Sequence, residues 1–117
     1  MITNIDELKD FIVKTLEDKK AENISVIDLG DDIPLAKYLI IASGRSTRNV
    51  AAIGDFVSLE VKNHANINVG LEGLSNAEWV IVDCGDIIVH IFHPEARNHF
   101  QLEDLWGKKK RKKNEEN

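Results

Sequence analysis

The side chains in this chain that could do chemistry are few and scattered. Cys84, His90, His93 and His99 are the candidate metal ligands. A zinc site needs three or four such groups at short, regular spacing. These intervals fit no such pattern, and Cys84 falls in a turn away from His90, so no metal site is expected. Ser43, Asp83 and His90 carry the side chains of a hydrolytic triad, but Ser43 is not framed by the Gly-x-Ser-x-Gly of a nucleophile elbow. Nucleotidyl transfer needs clustered carboxylates to hold Mg²⁺. Asp83 and Asp86 flank a turn and make a poor substitute, so no catalytic residue and no cofactor is expected.

Ser43-Gly44-Arg45-Ser46 lies between an apolar run and a helical pattern. Backbone N–H groups and a helix dipole at such a place can hold a phosphate. No P-loop lysine is present, and a strand-to-helix turn capped by serine is the plainer reading. Arg48 falls in the first helical turn, where the dipole disfavours positive charge. It predicts a carboxylate partner, Asp83 or Glu103, or a contact to another protein.

Recognition chemistry is better supported than catalysis. Residues 78–83 and 86–92 read as two strands joined by Cys84-Gly85, a two-residue loop with glycine second. That turn would pair Asp83 with Asp86, Val82 with Ile87, Val80 with Val89 and Trp79 with His90. Side chains alternate across a strand. One face then holds Val80, Val82, Ile87, Val89 and Ile91, which is core material. The other holds Trp79, Ile81, Asp83, Asp86, Ile88, His90 and Phe92. Aromatic anchors ringed by polar groups characterise binding surfaces, so Trp79, Asp83, Asp86 and His90 are candidate partner-binding residues. The competing reading is that a helix covers this face. Arg97, Phe100 and Trp106 form an expected helical flank, although Trp106 also reads as a packing anchor and Arg97 and Glu103 as surface charges.

The elements that must position these residues follow from periodicity. Ile5, Leu8, Ile12 and Leu16 mark one helical face, opened by Thr3 with Asp6 or Asn4 with Glu7 as caps and ended at Asn23. Residues 24–29 and 38–42 read as strands. Ser46 or Thr47 caps a second helix with Val50, Ile53, Val57 and Val61 inward, and Gly54 within it predicts a close approach to the sheet. Residues 63–68 read as a polar linker around His64, residues 67–71 as a short edge strand, and Gly70 and Gly73 as bounds of a loop. After Pro94 a short helix places Leu102, Leu105 and Trp106 on one side. The order α-β-β-α-(β)-β-β-α predicts an α/β (α+β) domain, one mixed sheet flanked by helices, over residues 1–107.

The 117 residues carry a net charge of −5. Residues 108–113, from Lys108 to Lys113, are all basic, so the last ten residues hold +4 and residues 1–107 hold −9. An acidic body is a poor clamp for a nucleic-acid backbone and suits a basic protein partner. It also simply favours solubility. The basic run, expected to be disordered, reads either as a contact to ribosomal RNA or another polyanion or as a solvated tail. No apolar run approaches the length that spans a bilayer. The N-terminus reads as neither a secretory signal nor an Arg-rich transit peptide. With one cysteine, the expected compartment is a reducing bacterial-type cytoplasm, with an organelle matrix as the alternative.

Taken in order, Asp18-Lys19-Lys20-Ala21, Ser43-Gly44-Arg45-Ser46-Thr47-Arg48, Glu72-Gly73, Glu78-Trp79-Val80-Ile81-Val82-Asp83-Cys84-Gly85-Asp86, Val89-His90-Ile91-Phe92, Pro94-Glu95-Ala96-Arg97 and Leu102-Glu103-Asp104-Leu105-Trp106 resemble the ribosomal silencing factor (Iojap-like) family. The resemblance spans nearly all of residues 4–107. It implies a nucleotidyltransferase-like fold without catalysis. It also implies binding to the large ribosomal subunit through that subunit's protein fourteen, at the face that meets the small subunit, so that subunit joining is blocked. Organelle relatives imply a role in large-subunit assembly, and homodimers occur in the family. Where the family often has Phe-Tyr before the last helix, this chain has His99-Phe100, so any partner contact through that hydroxyl is lost. The rival readings are a nucleotidyltransferase-like enzyme and a homo-oligomeric assembly factor.

Overall fold

The computed structural model describes residues 1–100, with side chains through Arg97. Helix α1 (Ile5–Asp18) begins where Asn4 caps it: the Asn4 side chain accepts the Glu7 N–H at 3.0 Å, and Asp6 and Glu7 sit at the positive end of the dipole. Leu8, Ile12, Thr15 and Leu16 form its buried stripe. The helix stops before the expected Asn23. The Lys19 N–H turns back to carbonyls in the last turn, and Lys20 takes the left-handed conformation at φ 61°. Asn23, at φ 51°, instead lies in strand β1 (Glu22–Asp28), beside a register irregularity between Glu22 and Ser25.

Strand β2 (Tyr38–Ser43) is buried at all six positions and passes through a turn into α2 (Thr47–Ala65). Ser46 caps this helix, its hydroxyl accepting the Asn49 N–H at 3.0 Å. Val50, Ile53, Val57 and Val61 face inward as their spacing predicts. Gly54 is where helix meets sheet: a Cβ there would fall 2.6 Å from Val80 Cγ1, which no ordinary contact allows. The polar stretch around His64 is not a linker. Val61 and Ala65 still point into the core, so the helix runs on for another turn and ends at Asn66 in the left-handed region. The edge strand is displaced accordingly to β3 (Gly70–Glu72), so Gly70 starts a strand and does not bound a loop.

Strands β4 (Trp79–Asp83) and β5 (Ile87–Phe92) form the expected hairpin in a different register. Trp79 opposes Phe92, Ile81 opposes His90, and Asp83 opposes Ile88. The turn is Gly85-Asp86, closed by the Cys84 N–H donating to the Ile87 carbonyl at 2.9 Å. Gly85 has φ +84°, which suits the first central position of a type II′ turn. Cys84 is no turn residue: its side chain is 3% exposed on the core side. The slip from the expected pairing is two residues. Side chains alternate with the same period, so both faces keep their members, and Asp86 alone moves from strand to turn.

The sheet order is β1-β2-β5-β4-β3. β2 and β5 run parallel at its centre, and the other neighbours pair antiparallel. This is the expected single mixed sheet of an α+β fold. Helices α1 and α2 pack on one face, over Ile40, Ala42, Val80, Val82, Ile87, Val89 and Ile91. Tyr38 ties α1 to the sheet by donating to Asp6 Oδ1 at 2.6 Å. The Asp6 hydrogen bond pushes the phenol up to about 12 and holds the carboxyl below its ordinary value. The opposite face carries a smaller apolar cluster of Leu29, Ala36, Leu39 and Ile88. Helix α3 (Pro94–Phe100) follows β5, with proline at its first position where a missing N–H costs nothing.

Candidate docking face

Strands β2, β4 and β5 all present side chains on the face away from α1 and α2, and its aromatic part, on β4 and β5, lies at the open end of the hairpin. Trp79 and Phe92 stack with centroids 5.1 Å apart, an offset their direct cross-strand pairing imposes. His90 stands two residues before Phe92 on the same side of β5, their rings 6.1 Å apart. The Trp79 indole N–H donates to His90 Nδ1 at 2.9 Å. His90 is 8% exposed, and burial pushes its pKa down to about 4, so the imidazole is neutral at physiological pH. Trp79 and Ile81 are half-buried, so the cluster has a sealed side and an open one.

Arg97 reaches this end from α3, its Nη1 donating to Ser43 Oγ at 2.8 Å. Ser43 is buried at the end of β2 directly beside Phe92. The Gly44 N–H donates to the Phe92 carbonyl at 2.9 Å. Ser43 and Gly44 are thus joined to the aromatic cluster through β5 and Arg97. Ser46 caps α2, so the serine-cap reading of this turn is the one the geometry displays. Arg48 is exposed, and no described carboxylate pairs with it. The expected Asp83 partner is engaged locally instead, its Oδ1 accepting the Gly85 N–H at 2.9 Å.

Asp83 and Asp86 are not brought to the aromatic cluster. They are exposed at the hairpin tip, the other end of β4 from Trp79, roughly 13 Å along a strand. Asp86 works through its backbone, its carbonyl accepting the Lys37 and Tyr38 N–H groups. Cys84 is sealed in the core, and burial raises its thiol to about 12, which removes it from thiolate chemistry. Phe100 ends α3, its side chain beyond what is described. Glu103, Trp106 and Lys108–Lys113 lie outside the described residues. The member that sequence reasoning underrated is Phe92. Alternation placed it on the Trp79 face, but the misassigned turn set His90 opposite Trp79 in its place.

These features define a class: an α+β sheet domain with both long helices on one face and an aromatic and polar cluster, half-exposed at Trp79, on the other. The chain belongs to the family described as ribosomal silencing factor during starvation, whose model matches residues 3–117. It is 40% identical over 96 residues to the ribosomal silencing factor of Zymomonas mobilis, covering 82% of this chain and 72% of that one. Identity to the ribosomal silencing factor of Chromobacterium violaceum is 36% over 106 residues, covering 91% and 87%. A mouse protein named for mitochondrial assembly of the large ribosomal subunit is 31% identical over 100 residues, 83% of this chain and 44% of that protein. A crystal structure of a Chromobacterium violaceum protein superposes with a TM-score of 0.85 at 35% identity, covering 90% of this chain and 88% of that one.

Proposed function

We propose that this protein represses translation by binding the large ribosomal subunit through the mixed face of the β4–β5 hairpin and so excluding the small subunit. The landing site in this reading is the large-subunit protein fourteen, on the surface where the subunits meet. The observation that carries it is the Trp79–His90–Phe92 cluster on the sheet face away from α1 and α2, with Trp79 half-exposed over buried His90 and Phe92, in a member of a ribosomal silencing family. Trp79 is the natural anchor, large and rigid with one polar atom. Ser43 and Arg97 border it, Phe100 at the end of α3 is a further proposed contact, and Asp83 and Asp86 at the tip set a negative rim for a basic partner. Ser46 and Arg48 are flanking contacts or structure, and Glu103 and Trp106, outside the described residues, are further proposed contacts. A second copy of the chain is a further candidate occupant, and Lys108–Lys113 offer a weak, salt-sensitive contact to ribosomal RNA.

The test is subunit joining. Purified large subunits, preincubated with the protein, are mixed with small subunits and resolved by sedimentation. The expected result is a dose-dependent loss of joined ribosomes with the protein on the large-subunit peak. Undiminished joining at saturating protein would refute the reading. A role in large-subunit maturation is favoured by the name of the mouse relative. Depletion separates the two: a maturation factor leaves incomplete large subunits behind, whereas a silencer leaves them complete.

A further inference from the structure

The Trp79–His90 contact determines more than packing. An indole N–H donates and has no lone pair to offer, so His90 Nδ1, 2.9 Å away, must be the acceptor. A neutral imidazole carries one ring proton, which therefore sits on Nε2. Burial keeps the ring neutral, with its pKa near 4. The other contacts of His90 are ring contacts to Trp79 and Phe92, and among the described residues none meets Nε2. Among the described residues no buried side-chain nitrogen or oxygen lacks a partner, so Nε2 keeps access to solvent. It does so on the face away from α1 and α2, where His90 lies and where Trp79 beside it is half-exposed.

We infer that Trp79 is a positioning residue, whose indole N–H locks His90 in the Nε2–H tautomer so that this N–H is presented to a backbone carbonyl of the protein docked on the face. The inference rests on the docking reading proposed above. A carbonyl is favoured over a carboxylate because a surface complementary to an acidic body is poor in carboxylates. Before docking, water satisfies the donor. Docking expels that water, so an acceptor on the partner must replace it. An unlocked ring would divide its proton between two nitrogens and present the donor for part of the time only.

Two measurements on the full chain test this. Long-range proton–nitrogen correlation spectra of the free ¹⁵N-labelled protein at neutral pH should show His90 as a single Nε2–H tautomer, assigned by its loss in His90→Gln. Trp79→Phe keeps an aromatic ring against Phe92 while removing the N–H together with part of the indole's bulk, and should give a mixture of tautomers. Binding to purified large subunits should then weaken by about threefold to tenfold in Trp79→Phe and by about tenfold or more in His90→Phe. His90→Gln, with an amide N–H of similar reach, should bind more tightly than His90→Phe. An Nδ1–H tautomer in the wild type, or an unchanged tautomer in Trp79→Phe, overturns the lock. Wild-type affinity in His90→Phe overturns the donor's role. If the wild type itself does not bind large subunits, the docking reading fails and the donor's role with it, while the tautomer in the free protein still decides the lock.

Discussion

The two faces of the sheet contrast sharply although the same strands build them. Under α1 and α2 the β4–β5 positions are aliphatic apart from Cys84, and all are buried. On the other side the same two strands alternate aromatic, imidazole, aliphatic and acidic residues, and burial falls from full at Phe92 to exposed at Asp83. An aliphatic face needs nothing beyond close packing. A mixed face must satisfy its polar atoms, and it does so with specific bonds: Trp79 to His90 and Arg97 to Ser43. Stability is concentrated on the first face, and the recognition proposed above on the second.

The largest effect should come from breaking that division of labour on the covered side. Ile91 is fully buried beneath the helices, so Ile91→Ala should cost about 2–5 kcal/mol in urea unfolding. Ile81→Ala, half-buried on the other face, should cost only about 1–2 kcal/mol. Equal losses would erase the contrast.

The next effect is on pH. The folded pKa of His90, near 4, lies below the ordinary 6.5, so the unfolded chain takes up its proton first as pH falls. The stability this neutral ring supports is complete above pH 6.5 and drains away towards pH 4, by about 3 kcal/mol in all. Protonation would also turn Nδ1 into a donor and break the Trp79 bond. Urea titrations across that window should show the loss in the wild type and a flatter profile in His90→Phe. Parallel profiles would contradict it. Smaller still, Ser43→Ala removes the Arg97 hydrogen bond and should cost about 1 kcal/mol. Thermal unfolding within error of the wild type would show that this tie contributes nothing.

Much of this was legible in the sequence, for identifiable reasons. The stripe of Leu8, Ile12 and Leu16 and that of Val50, Ile53, Val57 and Val61 fixed both long helices and the face they bury, because periodicity reports burial directly. Gly54 announced the close approach to Val80. The hairpin's faces were legible and its register was not. Alternation is blind to a two-residue slip, and Cys84-Gly85 and Gly85-Asp86 are both plausible turns until the burial of Cys84 is known. The Asp83 partner expected for Arg48 failed because Asp83 lies at the hairpin tip, whereas Arg48 follows the end of β2 that pairs with Phe92, at the other end of the sheet. The Ser43–Arg97 bond joins residues 54 positions apart, and no local pattern encodes it.

The central claim is that the mixed face is the docking surface and the aliphatic face is not. The most direct test is co-sedimentation with purified large subunits, comparing Trp79→Ala with Ile91→Val, each first shown to be folded by circular dichroism. Trp79→Ala should lose about tenfold or more in affinity, as a buried aromatic anchor does. Ile91→Val should sediment with the subunit as the wild type does. Undiminished binding by folded Trp79→Ala would contradict the claim.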